Sequence, residues 1–319
     1  MKDKNLKLPD IEDILDAHDR IKLFINKTPV ISSAGINKLV GAEIYFKCEN
    51  FQKVGAFKYR GATNAVLCCS EKERKRGFAT HSSGNHAAAL SLAANKAGTK
   101  AFVVMPENAP EIKKAAVISY GAEITYCFPS LESRETTLNQ LVEKTGAIFV
   151  HPYNNTNVIA GQGTAALELC DEIKDLEVII APVGGGGLLS GTSIAARYLN
   201  KNIEVIGAEP EMANDAFQSF KTRKIVPSVS PKSIADGLLA SLGDLTFNII
   251  LNNVDHIFTA PEASIVAAMR LIWERMKIVV EPSSSVPLAI IMENKEFFKG
   301  KKIGIIISGG NVDLNKLPF

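Results

Sequence analysis

Apolar residues recur three and four positions apart over 11–24, a spacing that predicts an amphipathic helix. Thr28-Pro29-Val30 breaks it, and Ile44-Tyr45-Phe46-Lys47-Cys48 reads as a strand running into a polar loop, Glu49-Asn50-Phe51-Gln52-Lys53. Gly55-Ala56-Phe57-Lys58-Tyr59-Arg60-Gly61-Ala62 opens a helix to about residue 69, and the charged run 71–76 reads as a solvated connection. Strand and helix then alternate. Strands are predicted at 78–80, 101–105, 123–127 and 147–150, with helices at 86–96, 111–120 and 131–144 between them. After His151-Pro152 the pattern resumes with a helix over 162–175, strands at 178–183 and 204–208, and a helix from Leu188 to about Arg197. Thr259-Ala260-Pro261-Glu262 carries helix-start chemistry: a capping hydroxyl, an early proline and a first-turn acid. That helix is predicted to reach Lys277, and 303–307 has the all-apolar character of a buried strand. Regular alternation at this spacing predicts parallel βαβ units, an α/β fold.

The chain has 319 residues, enough for two lobes, with 46% apolar and 22% charged residues, an ordinary globular balance. A net charge of +2 with no Lys/Arg block argues against a nucleic-acid surface. No apolar run reaches membrane-spanning length, and Met1-Lys2-Asp3-Lys4-Asn5 lacks the apolar core of a signal peptide. Five cysteines (48, 68, 69, 127 and 170) form no C-x-x-C pair, which points to reduced thiols in a cytoplasmic protein and away from structural zinc.

The chemistry concentrates where strands end. Gly184-Gly185-Gly186-Gly187 lies between an apolar strand and the helix opened by Leu188-Leu189-Ser190, and four glycines cost more backbone entropy than a turn requires. A backbone held close to the free N–H groups of a helix start suits a phosphate. A dinucleotide fingerprint fits poorly, because Gly185-x-Gly187-x-x-Ser190 lacks the third glycine, and no Gly-Lys-Ser/Thr follows for a P-loop. Ser82-Ser83-Gly84-Asn85 and Ser308-Gly309-Gly310-Asn311 end two more predicted strands, the edge where parallel α/β sheets bind ligands. Lys58 stands at a predicted helix start, unfavourable for a cation, and a desolvated lysine can form a Schiff base.

Ala56-Phe57-Lys58-Tyr59-Arg60-Gly61, His81-Ser82-Ser83-Gly84-Asn85-His86, the run from Gly184 to Leu188, Glu281-Pro282-Ser283 and Ser308-Gly309-Gly310-Asn311 together resemble the fold-type II pyridoxal-phosphate enzymes, and in their order. Cys48-Glu49-Asn50-Phe51-Gln52-Lys53, Ile159-Ala160-Gly161-Gln162-Gly163-Thr164 and the extension to Asp313 are similar to the branch of serine racemases and serine/threonine dehydratases. The resemblance spans nearly the whole chain and is nearest to the racemases. It implies a tryptophan synthase β-like architecture with a mostly parallel sheet in each of two lobes: residues 1–75 and 150–319 as the large cofactor-binding domain, 76–149 as a small mobile one. It implies a homodimer acting on a small amino acid. With the chain ending at Phe319, the regulatory C-terminal domain of the biosynthetic threonine dehydratases is expected to be absent.

The roles carried over fit the residue types. Lys58 would hold pyridoxal 5′-phosphate as a Schiff base and, once freed, act as a base at Cα. Phe57 would pack on the ring, and Gly184, Gly185, Gly186, Gly187 and Leu188 would bind the phosphate. Asn85 would reach the ring's 3′-oxygen and Ser308 its nitrogen, where a neutral hydroxyl weakens the electron sink. Ser82, Asn85 and the His86 backbone would hold the substrate carboxylate. Dehydratases commonly have alanine where this chain has Ser83; serine there, as in racemases, gives a second acid/base group. Arg134 and Ser241 match racemase positions near the substrate, whereas Tyr153 departs from the small polar residue of the mammalian racemases. Glu209, Ala213 and Asp215 match a divalent-cation site, whose oxygen ligands suit Mg²⁺, Ca²⁺ or Mn²⁺. ATP as an effector at a dimer interface is a feature of some racemases. The leading expectation is serine racemisation with dehydration of serine to pyruvate. A dehydratase of L-threonine, L-serine or 3-hydroxyaspartate is the alternative, and a non-catalytic metabolite-binding module the contrasting class.

Overall fold

A computed structural model of the chain describes residues 8–109 and 111–319. The N-terminal run Met1 to Asn5 lies outside the described residues. Among the described residues there are ten strands: β1 (Val30–Ile31), β2 (Glu43–Cys48), β3 (Phe78–His81), β4 (Ala101–Pro106), β5 (Glu123–Cys127), β6 (Ile148–Phe149), β7 (Val178–Pro182), β8 (Glu204–Pro210), β9 (His256–Ala260) and β10 (Lys302–Ile307). They form two sheets, ordered β1-β2-β10-β7-β8-β9 and β5-β4-β3-β6. Every pairing is parallel except β1 with β2. This is the α/β class expected from the alternation, with helices covering sheets whose central strands are apolar on both faces. The four-stranded sheet is built from β3 to β6, so all of it falls within the 78–149 stretch.

Central strands read as continuous apolar runs because helices bury both their faces: β7 is fully buried from Val178 to Pro182, as is β10 from Ile303 to Ile307. The Pro282–Glu293 helix had no counterpart in the periodicity. Proline at its first turn is a favourable start, but Ser283 to Ile291 are all buried, so no polar face marks it as a helix. Helices Ala34–Val40, Asp215–Thr222 and Asp244–Asn253 are likewise additional. The expected start at Thr259 is corrected: Thr259 and Ala260 close β9, and the helix runs Glu262–Met276 with Pro261 as its cap. The helix placed over 162–175 instead begins at Thr156, because the Asn155 side chain accepts the Val158 N–H and caps it six residues earlier. The 71–76 connection contains a short helix, Glu71–Arg74, closed by a Ser70/Glu73 capping box.

Two of the quoted motifs have a packing explanation. The Lys58–Leu67 and Thr156–Glu172 helices touch backbone to backbone, and a Cβ on Gly161 would lie 2.6 Å from the Gly61 Cα. Beside that contact, Arg60 bridges Glu49 and Glu168, each at 2.7 Å, and Lys47 reaches Glu168 at 2.7 Å. These four charges are buried and balance one another. Removing one partner of such a set costs about 3–5 kcal/mol, because the others are left charged and unpaired. The set ties the helix that begins at Lys58 to β2 and to the helix beneath it.

Candidate active site

Loops following β2, β3, β6, β7 and β10 all leave the carboxyl ends of parallel strands. The β2 and β10 loops are stitched together by backbone bonds: Phe57 N–H donates to Ser308 O and Gly310 N–H to Gly55 O, each at 2.9 Å. Lys58 is the first residue of its helix, half-buried, and its Nζ donates to the Pro152 carbonyl at 2.9 Å. Burial strips solvent from the ammonium and pulls its pKa down to about 8, with the Glu281 carboxylate opposing. A free amine is therefore accessible near neutral pH. The Phe57 ring centroid lies 5.1 Å from that nitrogen.

The Gly184–Gly187 run leads from β7 into the Gly187–Leu199 helix. Gly186 sits at φ +88°, open to glycine without cost. A Cβ on Gly185 would lie 2.5 Å from the Tyr153 ring at Cγ, and one on Gly184 2.8 Å from the Leu238 Cα. The loop is glycine because neighbours crowd its outer side, and no side chain in its helix's first turn caps the N–H groups. Such a cradle suits a phosphate.

After β3, Ser82 Oγ accepts the Gly84 N–H at 3.2 Å, while the half-buried Ser83 hydroxyl bonds to no other described residue. Gly84 caps the Asn85–Lys96 helix without a side chain, and nothing stands within 4 Å of where its Cβ would be. Open space at a helix N-terminus is suited to a carboxylate. His86 behind it is buried, its Nδ1 unpartnered, and burial with the nearby Lys58 charge holds its pKa well below the usual range. Asn85 is oriented from two sides: its Nδ2 donates to Glu281 at 3.1 Å, and its Oδ1 accepts from Asn311 Nδ2 at 2.9 Å. The same Nδ2 also donates to the second Glu281 oxygen at 3.2 Å. Burial pushes the Glu281 carboxyl up to about 7, against the bond from Asn85. Ser308 is buried and its hydroxyl lies 3.0 Å from Ser284 Oγ. Neither Glu281 nor Ser284 had been given a role by the sequence; the helix-starting Glu281-Pro282 pair was the available signal.

Two expected residues make their hydrogen bonds outside these loops while standing close to them: Ser241 precedes Leu242, whose side chain lies against Gly186, and Arg134 acts on His81, next to Ser82. Ser241 Oγ accepts the Ser228 N–H at 2.8 Å, beside a different cavity. Arg134, on the Leu131–Thr145 helix, uses Nε on the Ser130 carbonyl at 3.3 Å and has its other N–H groups free of described partners. Its charge reaches His81, at the end of β3, and with burial lowers that imidazole's pKa.

The cavity near Ser241, about 210 Å³, is lined by Ala213, Asp215, Gln218 and Ser228 among others. Both Asp215 oxygens are buried with no hydrogen bond of good geometry, and burial raises the carboxyl to about 6 against weaker support from Ser228 and its own backbone N–H. Glu209 is behind, its two oxygens accepting the Ala216 and Phe217 N–H groups at 2.8 and 2.7 Å; burial raises it to about 8, and Asp215 adds to this. An orphaned carboxylate facing a polar cavity, with a second acid beside it, fits a hard cation. Among the described residues no group of three acidic, histidine or cysteine side chains gathers to hold a metal, so such a site would need carbonyl or water ligands.

The profile of a family described as pyridoxal-phosphate dependent enzymes matches residues 21–309. The chain is 52% identical to a beta-hydroxyaspartate dehydratase of Paracoccus denitrificans, over 98% of this chain and 99% of that one. It is 50% identical to a serine racemase of Dictyostelium discoideum, over 96% of each. The solved structure of maize serine racemase superposes with a TM-score of 0.95 at 44% identity, covering 97% of this chain and 95% of that one.

Proposed function

We propose, from the premise that the chain belongs to the pyridoxal-phosphate dependent enzyme family, that it interconverts L- and D-serine and also dehydrates serine to pyruvate and ammonia. The observation that carries the reading is the pair of proton-transfer groups: a half-buried amine at Lys58 with a lowered pKa, and a Ser83 hydroxyl without a partner among the described residues. Lys58, Gly184 to Leu188, Asn85 and Ser308 would hold the cofactor. When bound, pyridoxal phosphate supplies the electron sink that makes the Cα proton acidic. Ser82, Asn85 and the His86 backbone hold the substrate carboxylate over the helix N-terminus. Lys58 takes the Cα proton on one face. Ser83 delivers a proton on the other, which yields the opposite enantiomer. Loss of the β-hydroxyl from the same deprotonated substrate leads to pyruvate. We assign 76–149 as the mobile small domain, because it holds its own sheet and meets the rest across the site at Lys113–Asp236, 2.6 Å.

Dehydration of 3-hydroxyaspartate is the second reading, supported by the similarity to the Paracoccus dehydratase and by the free donors of Arg134, which match a second carboxylate. The two are separated by supplying L-serine and 3-hydroxyaspartate in parallel and measuring D-serine by chiral chromatography alongside pyruvate and oxaloacetate. D-Serine with pyruvate is the expected result. Oxaloacetate alone, with no D-serine, overturns the first reading.

Glu209, Ala213 and Asp215 form the cation site in this reading, for Mg²⁺, Ca²⁺ or Mn²⁺. The cation relieves the repulsion between two buried acids. At a hundredfold excess over its dissociation constant it stabilises the fold by about 2.7 kcal/mol. Chelation should lower the melting temperature, and Mg²⁺ or Ca²⁺ should restore it. A melting curve unmoved by exhaustive chelation, in protein that carries no metal by elemental analysis, excludes the site. The remaining parts of the reading are a homodimer and a cytoplasmic enzyme; among the described residues no helix is long and apolar enough to cross a membrane.

A further inference from the structure

The segment joining β6 to the Thr156–Glu172 helix touches the site at two places. Pro152 offers its carbonyl to Lys58 Nζ at 2.9 Å, and Tyr153 lies across Gly185 and Gly187. Its conformation is held from within. His151 Nδ1 accepts the N–H of Asn154 at 2.9 Å and that of Tyr153 at 3.3 Å. The His151 and Tyr153 rings meet edge-on with centroids 4.5 Å apart, and His151 also packs on Phe149 at 5.7 Å and on His81 at 6.2 Å. Accepting two N–H bonds requires a lone pair on Nδ1, hence a neutral ring with its proton on Nε2. Burial, with the charges of His81 and Lys58 adding to it, lowers the His151 pKa to about 4 and keeps the ring in that form.

We propose that His151 is a positioning residue for the cofactor lysine and the phosphate loop, acting through the two N–H bonds that shape residues 151–154. One arm of that strap parks the free Lys58 amine, the form in which it moves a proton. The other seats the Tyr153 ring against the outer side of the glycine loop. Loss of the Nδ1 acceptor leaves two N–H groups unpaired and lets both arms shift. A displacement of about 1 Å at a reacting group can cost on the order of a hundredfold in rate.

The inference rests on the assignment of Lys58 and the Gly184–Gly187 loop to pyridoxal phosphate, and the experiment keeps the two apart. Asparagine presents Oδ1 close to where histidine presents Nδ1; glutamine reaches instead toward the Nε2 position. Apo-protein of the wild type, His151→Asn, His151→Gln and His151→Ala is titrated with pyridoxal phosphate by absorbance, and kcat and KM for L-serine are measured on each holoenzyme. His151→Ala and His151→Gln should bind the cofactor roughly tenfold or more weakly and lose kcat by about a hundredfold, with KM little changed. His151→Asn should recover both to within about threefold of wild type, since one lost hydrogen bond is worth about that much or more. An asparagine variant no better than glutamine overturns the proposal, and that contrast decides even where alanine fails to fold. An alanine variant with wild-type affinity and kcat overturns it as well. A wild type that binds no pyridoxal phosphate overturns the underlying site assignment, and this inference with it.

Discussion

Lys58→Ala protein is expected to lose racemisation and dehydration together, each by at least the roughly 10²–10⁴-fold that a positioned general base contributes. The amine sits at the start of its helix, with burial lowering its pKa to about 8, so a useful fraction is unprotonated near neutrality. His86 and His151 are the other basic side chains close to it electrostatically, and neither is a substitute. Burial lowers both pKa values, His151 to about 4, and His151 Nδ1 is already committed to two backbone N–H groups. The measurement pairs turnover with attachment. Borohydride reduction followed by peptide mass analysis should find the cofactor on the Lys58 peptide of the wild type. The alanine variant should carry none. Attachment to a different lysine, or turnover surviving the substitution, would refute the assignment. The fold should persist, because the buried Arg60–Glu49–Glu168–Lys47 set that anchors this helix does not include Lys58.

Ser83→Ala should divide the two activities. Elimination from L-serine needs a base on one face of Cα, which Lys58 supplies in the proposed reading. Racemisation also needs a proton donor on the other face. The Ser83 hydroxyl has no hydrogen-bond partner among the described residues, so its removal breaks no described bond in the loop; Ser82 still accepts the Gly84 N–H, and Asn85 stays fixed by Glu281 and Asn311. Pyruvate release from L-serine should therefore continue, while D-serine formation falls by roughly 10²–10⁴-fold, the loss typical of a general acid/base. Use of D-serine as a substrate should fall in parallel. Chiral chromatography of D-serine with a coupled pyruvate assay, on wild type and variant under the same conditions, reads both at once. Equal racemisation by the two proteins would reduce Ser83 to a loop residue. A helix cap is already a poor account of it, since no side chain caps the Asn85–Lys96 helix.

The class of fold and the list of chemical parts are legible in the residues alone. Strands fully buried between helices are apolar throughout, and helices with one wet face keep a 3.6-residue period, so both leave a one-dimensional record. The glycine run, Lys58 and the small polar loops at strand ends were legible for the same local reason: a residue type is dictated by what its own backbone must do. The Pro282–Glu293 helix left no such record because it is buried on every side. The end of β9 was mistaken for a helix start because Thr259 and Pro261 have the chemistry of a cap while parallel pairing with β8 claims Thr259 for a strand. Which residues become partners depends on the three-dimensional packing. It set Glu281 and Asn311, distant in the chain, on the two ends of the Asn85 amide, and it gave the Ser241 hydroxyl the Ser228 N–H as its partner. It also set Pro152 against the Lys58 amine and Tyr153 against Gly185 and Gly187, in the segment that follows the short strand β6. Hydrogen bonds and close packing between remote segments depend on where folding brings them, and no local pattern of residue types encodes that distance.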